Sequence, residues 1–571
     1  MIVGPDTVIR LALEVLGQGM ELGNAEDAAR RLNAILGWVR ELAEERLLDS
    51  EPAGVFDPAH PTWTAPPPPL PAWRTVPSPP AGTGYGAPPP GAPPSPAADR
   101  PPQGIPIGAG PASMSLAEVA REIGESRLSP VEAVEIALSR LEALDGDLRA
   151  FITVTAAEAR ATARLAEQNL SAGSEPGLLH GVPVAVKDVI DTAEVRTTCG
   201  SRVLAGRVPR VDAEVVSRLR RAGAIMVGKT NTHEFAFGVT TANPHFGICR
   251  NPWNPGCVPG GSSGGSAVAV ATGMCYLALG TDTAGSVRIP AACCGVVGLK
   301  PTYGLIDKQG IFPLSWSLDH PGTLTRTVGD AALALTVLAG GGCRGRSTPP
   351  RGFRDYREAV RQAGAGLSDL TIGVPSRWLE DRVRPGVAAA VGEAIARFEQ
   401  LGARVREVDF PPVHPLLLAN RLIVLAEGAA LHRPWMGTCR HLYGTDVRAR
   451  LELGQLLPAV DYLTGQRLRR ELGREVAGVM REVDLLATPT LPVPAPHIGE
   501  DWLEWPEGRE AASDALIRLP APFNVTGQPA ISVPCGMSEG RPVGLQLAGR
   551  WFEEETLLRA AAALEATLGG R

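Results

Sequence analysis

The chain has 571 residues, a net charge of −6 and 44% hydrophobic against 20% charged residues, the composition of a globular protein with a large buried core. It contains no basic domain and no long Lys/Arg run, so we expect no nucleic-acid partner. Nine cysteines occur without a CxxC pair, which argues against a disulfide framework or a zinc site and favours a reducing, cytoplasmic setting. We expect neither a signal peptide nor a membrane span, because the N-terminus lacks an early positive cluster and no uninterrupted apolar run reaches about 20 residues.

The N-terminal part predicts a helical segment followed by a linker. Residues 6–48 favour two helices, the second capped by Asn24 and carrying one apolar face. Two short helices cannot bury such faces alone, so they should pack on another surface. From Pro61 to Pro111 proline dominates, which is typical of an extended, polyproline-like linker. We therefore divide the chain into a helical segment (1–60), a proline-rich linker (61–112) and a main body (113–571).

The main body alternates predicted helices and strands. A capping box from Ser129 to Glu132 opens a helix that runs to about Leu144. The other predicted helices cover 215–222, 385–401, 460–482 and the tail from about 554. The predicted strands cover 181–187, 224–227, 370–374, 403–410, 484–489, 530–534 and 544–549. This alternation predicts an α/β fold with one large mixed sheet covered by helices.

Two clusters of glycine and serine stand out between Gly260 and Pro301. GGSSGGS at 260–266 and TDTAGS at 281–286 flank an apolar run at 267–279, which is typical of a buried helix. Glycine lets backbone amides approach a ligand and serine supplies hydroxyls, so the pair predicts polar groups converging on one small site. The alternative interpretation is two flexible turns.

Two familiar motifs occur in the wrong context. Residues 223–230 match the P-loop pattern GxxxxGK[ST], but the residues that should form the loop are themselves a predicted strand, which argues against nucleotide binding. Residues 260–264 match the GxSxG nucleophile elbow, but a turn-like segment replaces the required strand before it. That elbow also needs a histidine base. The best candidate is His320, whose sequence context is typical of an ordinary loop or core histidine.

A lysine is the next candidate for the base that a hydroxyl nucleophile needs. Lys187 ends an apolar strand, where desolvation would lower its pKa and leave neutral amine. Local sequence alone favours the alternative, an exposed lysine at a strand end.

Four segments in the same order resemble the signature of the amidase signature family. They are GVPVAVKD from Gly181, GKTNTHEFAFG from Gly228, NPWNPGCVPGGSSGGS from Asn251 and GTDTAGSVRIP from Gly280. The likeness covers the chain from about residue 115 to 571. It implies a single large amidase domain with a central mixed sheet, and it implies no metal and no cofactor.

The resemblance also implies a catalytic triad. The lysine of the family's GVPxxVKD segment is Lys187, the first serine of its GGSSGG is Ser262, and the serine of its TDxxGSxR is Ser286. In that family these residues form a Ser-cisSer-Lys triad, in which the middle serine follows a cis peptide bond. Ser286 would be the nucleophile, Ser262 the proton relay and neutral Lys187 the base.

The same resemblance implies an oxyanion hole made by the backbone amides of Thr283, Ala284, Gly285 and Ser286. The chain departs from many members, which have Gly-Gly-Ser where it has Ala-Gly-Ser, and alanine fits there if it keeps a negative φ. Three residues are expected to support this site without reacting: Ser263, Asp282 and Arg288.

The implied reaction is hydrolysis of a small carboxylic or ureido-type amide through an acyl-enzyme on Ser286. The alternative is the glutaminase component of a tRNA-dependent amidotransferase, its A-type subunit. That component's substrate region resembles NLxRYDGxRYG, whereas this chain has LAEGAALHRPWM at 425–436. An inactive scaffold is disfavoured because all three triad residues are present. We expect specificity to come from residues 420–465 and from Phe235, Trp316 and Phe523.

The N-terminal segment carries a second resemblance. Residues 26–60, which end in LLDSEPAGVFDPAHP, resemble the small C-type component of glutamyl-tRNA amidotransferases and the accessory subunits of biuret-type amidases. Both wrap around an amidase partner. We therefore expect the N-terminal helices to dock in cis on the amidase domain, and the sequence also allows a homodimer.

Overall fold

One mixed sheet of eleven strands organises the part of the protein that the computed structural model describes, residues 111–339, 354–375, 377–378 and 381–568. The described strands are β1 (Phe151–Val154), β2 (Pro183–Lys187), β3 (Ile225–Thr230), β4 (Ala242–Asn243), β5 (Gly247–Ile248), β6 (Leu277–Asp282), β7 (Val297–Lys300), β8 (His320–Thr325), β9 (Thr371–Val374), β10 (Arg404–Glu407), β11 (Leu485–Pro489), β12 (Trp502–Trp505), β13 (Gly508–Ala511), β14 (Ala530–Ser538) and β15 (Arg541–Gly549). The order in the sheet is β1-β3-β2-β6-β8-β7-β14-β15-β11-β9-β10. Its centre is antiparallel, and parallel pairs flank it at β3-β2-β6 and β11-β9-β10.

Helices cover both faces of this sheet. The described helices are α1 (Leu116–Gly124), α2 (Pro130–Leu148), α3 (Ala156–Ser171), α4 (Glu214–Arg221), α5 (Gly264–Ala271), α6 (Arg288–Cys294), α7 (Val328–Leu338), α8 (Arg357–Arg361), α9 (Pro385–Gln400), α10 (Val413–Met436), α11 (Thr445–Gln455), α12 (Ala459–Val479), α13 (Ala512–Arg518), α14 (Pro522–Val525) and α15 (Glu554–Thr567). Successive residues of β2 pack into two different apolar clusters. Val184 and Val186 belong to one cluster, and Ala185 belongs to the other. A strand that is apolar on both faces therefore lies inside the sheet, as its sequence predicts.

The α/β fold with one large mixed sheet is confirmed. The capping box opens α2 as predicted, with Ser129 Oγ accepting from the Glu132 amide and the Glu132 carboxylate accepting from the Ser129 amide. All seven predicted strands occur, with ends shifted by a few residues. The longest helix, α10, had no counterpart among the predicted elements, because its nearly continuous apolar sequence lacks a helical period.

The apolar run between the two Gly/Ser clusters is not one helix. It divides into α5, which ends at Ala271, and β6, which starts at Leu277. The break is a Schellman motif, in which the Met274 amide donates to the Ala269 carbonyl and the Gly273 amide to Val270. Gly273 has φ +76°, a conformation that favours glycine, so the Thr-Gly pair inside the run was the missed signal.

One helix of the described residues, α10, is long and apolar enough by composition alone to cross a membrane, and 72% of its most apolar window is buried inside the protein. Such burial is typical of a core helix. The predicted N-terminal helices and nearly all of the linker lie outside the described residues.

Candidate active site

Lys187 lies at the carboxyl end of β2, next to the carboxyl end of the parallel strand β6. Its Nζ is hydrogen-bonded to Ser262 Oγ at 2.8 Å and to Thr281 Oγ1 at 2.8 Å. The side chain is fully buried. The chain thus brings the amine of β2 against a serine from the first Gly/Ser cluster and a threonine from the second.

Burial makes the Lys187 amine unusually weakly basic. It lowers the pKa of Lys187 to about 7, against the opposing effect of the Asp282 and Asp319 carboxylates, which favour the ammonium form. In about half of the molecules the Lys187 amine is therefore neutral near pH 7. A neutral amine has a lone pair that can accept a proton from the Ser262 hydroxyl.

Ser262 follows the Gly261–Ser262 peptide bond, which is cis. Its carbonyl accepts from the His233 amide at 3.2 Å. The next residue, Ser263, joins the two clusters, because its amide donates to the Ser286 carbonyl at 3.2 Å and its hydroxyl to the Thr281 carbonyl at 3.2 Å. Ser286 is thereby held beside the Ser262 loop.

The Ser286 side chain is almost fully buried, and within the described residues its hydroxyl makes no hydrogen bond to the protein. Ser286 lies in the loop between β6 and α6. In this loop Gly285 has a positive φ of 115°. A Cβ on Gly285 would lie 2.6 Å from a Pro520 carbon, so no side chain fits at that position. Ala284 does not take a positive φ, which meets the condition that the sequence set for an alanine there.

Asp282 and Arg288 hold this loop together. The Asp282 carboxylate accepts from the amides of Gly285 (2.8 Å) and Val287 (3.1 Å) and pairs with the Arg288 guanidinium at 2.9 Å. Although burial acts to raise the pKa of Asp282, the charge and hydrogen bonds of Arg288 hold it well below its ordinary value. Arg288 also donates to the Pro520 carbonyl and to Gln546. The ion pair therefore ties the loop to distant parts of the chain.

The loop leaves particular backbone amides available. Because the Gly285 amide donates to Asp282, it is occupied in this structure. The amides of Thr283, Ala284 and Ser286 have no protein acceptor among the described residues. An oxyanion hole built from this loop would accordingly use those three amides, not the Gly285 amide.

The rejected motifs are accounted for by the fold. In the P-loop look-alike, residues 225–230 form β3, and Lys229 is buried against the Ile190 carbonyl, Thr192 and Thr197. The GxSxG look-alike follows residues 249–259, all of them described, and no strand lies there. His320 begins β8 as a buried core histidine, with Nδ1 2.6 Å from the Leu318 carbonyl.

The predicted specificity residues lie in different environments. Phe235 is buried in an aromatic cluster, 4.4 Å from the His432 ring centroid. Phe523 is buried against Trp378. Only Trp316 is partly exposed, so it remains the aromatic of the three that a substrate could reach.

Four residues at the site escaped the sequence analysis: Thr281, Asp319, Asn420 and Asn524. Asn524 donates to the Asp282 carbonyl at 2.9 Å and Asn420 to the Thr283 carbonyl at 3.2 Å. Asp319 accepts from the Thr283 hydroxyl at 2.6 Å. Thr281 stands inside the segment GTDTAGSVRIP, which resembles the family, and could have been flagged there, whereas Asn420 carries no local signal. The described residues contain no group of three or more His, Cys, Asp or Glu side chains placed to hold a metal ion.

Comparison with known proteins identifies the family. The family model described as Amidase matches residues 132–558. The chain belongs to the amidase signature family. It is similar to an amidase of Pseudomonas putida, 42% identical over 458 residues that cover 79% of this chain and 95% of that protein. It is also similar to the A-type subunit of the glutamyl-tRNA(Gln) amidotransferase of Moorella thermoacetica, 40% identical over 471 residues, 78% of this chain and 95% of that protein.

A solved amidase-signature structure has the same fold. It is described as an unexpected vestigial protein complex that reveals the evolutionary origins of an s-triazine catabolic enzyme, and it matches with a TM-score of 0.76 at 35% identity, covering 80% of this chain and 98% of that chain. Membership in the amidase signature family makes this chain a hydrolase of amides. The relatives include both an amidase and an amidotransferase component, so membership leaves the substrate undetermined.

Proposed function

We propose that this amidase signature protein hydrolyses a small carboxylic or ureido-type amide to the acid and ammonia or an amine. Ser286 is the nucleophile, Ser262 relays the proton, and neutral Lys187 is the base. The observation that carries the proposal is the 2.8 Å hydrogen bond between Lys187 Nζ and Ser262 Oγ, in a site that buries both side chains.

The reaction has two halves. In the first, Ser286 Oγ attacks the amide carbonyl while its proton passes to Ser262, whose own proton passes to Lys187. The carbonyl π electrons move to oxygen, and the amides of Thr283, Ala284 and Ser286 stabilise that negative charge. The C–N bond then breaks, and the amine leaves with the proton returned through Ser262. In the second half, water attacks the ester carbonyl and its proton passes through Ser262 to Lys187. The bond from the acyl carbon to Ser286 Oγ then breaks, the carboxylic acid leaves, and the proton returns through Ser262 to Ser286 Oγ.

A panel of aliphatic, aryl and ureido-type amides, including glutamine and biuret, tests this proposal by ammonia release. We expect turnover of at least one amide and an acyl adduct on Ser286 detectable by mass spectrometry. Ser286→Ala should lower activity roughly 10⁴-fold or more, because the hydroxyl nucleophile is lost. Silence of the wild type across the panel, or unchanged activity of S286A, would overturn the mechanism.

The second candidate function is that of a glutaminase within a tRNA-dependent amidotransferase. The 40% identity to such a component favours it. Against it stands the segment 425–436, which does not resemble that component's substrate region and whose side chains are mostly buried in α10. Preference for glutamine over all other amides in the panel would favour this alternative.

We also propose that residues 1–60 dock in cis on the amidase domain through the linker at 61–112. The proposal predicts that a chain beginning at Ser113 is less soluble, less stable or less active than the full chain, because the docking surface is then uncovered. Equal behaviour of the two chains would contradict it. A cytoplasmic setting, a small-molecule partner and self-association as a homodimer belong to the same proposal, and sedimentation of the full chain tests the last of these.

A further inference from the structure

Two consecutive peptide groups in front of Ser286 have their carbonyl oxygens held by asparagine side chains. Asn524 Nδ2 donates to the Asp282 carbonyl at 2.9 Å, and Asn420 Nδ2 donates to the Thr283 carbonyl at 3.2 Å. The amides on the other side of these peptides are those of Thr283 and Ala284. Neither amide has a protein acceptor among the described residues.

Peptide geometry links the two facts. In a planar trans peptide the C=O and the N–H point in opposite directions, so a side chain that fixes the carbonyl also fixes where the amide points. Both peptides here are trans, as the one described cis bond is Gly261–Ser262. Asn524 therefore orients the Thr283 amide and Asn420 the Ala284 amide.

Thr283 is held a second time through its side chain. Its hydroxyl donates to the buried Asp319 carboxylate at 2.6 Å, and that carboxylate also accepts from the amides of Leu314 and Ser315. The residue is thus fixed at its carbonyl and at its hydroxyl. Rotation of the Thr283–Ala284 peptide would break at least one of these bonds.

Burial of the Asn420 amide in an apolar helix costs free energy that, among the described residues, only its hydrogen bond to the Thr283 carbonyl offsets. Asn420 is almost fully buried in α10, within the run Leu416, Leu417, Leu418, Ala419. Burying an amide side chain costs free energy unless it is hydrogen-bonded, and an apolar residue would pack this helix at lower cost.

We infer that Asn420 and Asn524 are positioning residues of the oxyanion hole, which aim the Thr283 and Ala284 amides at the carbonyl oxygen of a bound amide. The inference rests on the proposed function. Asn524 additionally binds the Asp282 carboxylate and Arg288, so its replacement would disturb the whole loop. The Asn420 side chain is hydrogen-bonded to the loop only at the Thr283 carbonyl, so Asn420 is the residue to test.

The test is Asn420→Leu, which keeps the approximate volume and removes the donor. Acylation of Ser286 by p-nitrophenyl acetate is followed by p-nitrophenol release and by the mass of the adduct. We expect the acylation rate constant at saturating ester to fall roughly 10- to 100-fold, below the 10²- to 10³-fold typical when an oxyanion donor is removed outright, because the amide is misaligned and not lost. The half-saturating ester concentration and the pH midpoint should stay unchanged, since neither the pocket nor Lys187 is altered.

The matched control is Asn231→Leu. Asn231 is a fully buried asparagine whose side chain donates to two carbonyls, those of Arg149 and Gly247, and among the described residues makes no hydrogen bond to the Ser286 loop. It should lose thermal stability comparably while its acylation rate constant stays within about threefold of wild type. Asn420→Ala replaces N420L if the latter does not fold.

The outcomes separate the two proposals. If wild-type Ser286 is not acylated, the proposed function fails. If the wild type is acylated and N420L reacts within threefold of it, the positioning inference fails. It also fails if the rate falls together with a shifted pH midpoint or a raised half-saturating concentration, since that pattern indicates general loosening of the site.

Discussion

Two neighbouring parallel strands, β2 and β3, each carry a fully buried lysine, and only one of the two faces a serine. The lysines lie one position apart in register, because Lys187 pairs with Thr230 and Lys229 pairs with Val186. Lys187 contacts the hydroxyls of Ser262 and Thr281, whereas Lys229 contacts the Ile190 carbonyl and the hydroxyls of Thr192 and Thr197. Burial lowers the pKa of Lys187 to about 7 and that of Lys229 to about 8, in each case against nearby carboxylates.

The comparison shows that a pKa lowered by desolvation is not sufficient for a lysine to act as a general base. Both amines are weakly basic for the same reason, but the partners of Lys229 all belong to the segment that follows β2, which this lysine holds in place. The partners of Lys187 belong to the two Gly/Ser clusters, where the proposed nucleophile lies. The proposed base and the structural lysine therefore differ in the identity of the oxygen atoms that they contact.

For the comparison of the two lysines, the largest expected effect is a separation of activity from stability by two matched substitutions. Lys187→Met should lower the amide-hydrolysis rate by about 10³-fold or more, because the base is lost from a unit of three coupled residues. Lys229→Met should retain activity within about tenfold and lose about 1–3 kcal/mol of unfolding free energy, because the hydrogen bonds from the buried amine to the Ile190 carbonyl, Thr192 and Thr197 are lost. Steady-state rates and urea denaturation measure the two quantities. Equal loss of activity in both variants would show that the amines have equivalent roles and would erase the comparison.

The next effect is a pH dependence of the rate. Since the pKa of Lys187 is about 7, the acylation rate should fall about tenfold for each unit below that value and level off above it. A stopped-flow pH profile between about pH 5 and 9 measures the midpoint. A rate independent of pH over this range would contradict a neutral Lys187 base.

The same lysines also affect stability with a defined sign. Their pKa values are lower in the folded protein than the ordinary value of 10.5, so the unfolded chain binds more protons between about pH 7 and 10.5. Their contribution to the free energy of unfolding should therefore rise with pH in this window. Denaturation at several pH values should show a shallower rise in both K187M and K229M than in wild type.

The smallest expected effect comes from Thr281→Val, an isosteric change that removes one oxygen from Lys187. The ammonium form loses a hydrogen bond, so the pKa of Lys187 should fall further and the pH midpoint of the rate should move to lower pH by less than about one unit. The plateau rate should change only a few-fold. A midpoint that moves to higher pH would mean that Thr281 favours the neutral amine.

Local signals were sufficient for much of this protein. The Ser129 capping box, the seven strand patterns and the strand context that excludes a P-loop at 223–230 all lie within a few residues of the structure they specify. The resemblance of four short segments to a known family likewise predicted the lysine and the two serines at the site. The described geometry places Lys187 against Ser262 and joins the Ser286 backbone to Ser263, and the triad itself stays a prediction until it is tested.

Other features could not be predicted because they depend on contacts between distant parts of the chain. Asn420 reaches Thr283 across 137 residues and Asn524 reaches Asp282 across 242 residues. Nothing next to an asparagine in an apolar helix says which carbonyl it will meet. The sequence alone thus determined which chemical groups the site contains. Glycine supplies backbone flexibility, serine and threonine supply hydroxyls, and lysine supplies an amine. Only the tertiary structure decided that Lys187 and not Lys229 faces a serine, and which amides beside Ser286 are left without acceptors, because hydrogen bonding inside a fold depends on where distant strands and helices pack.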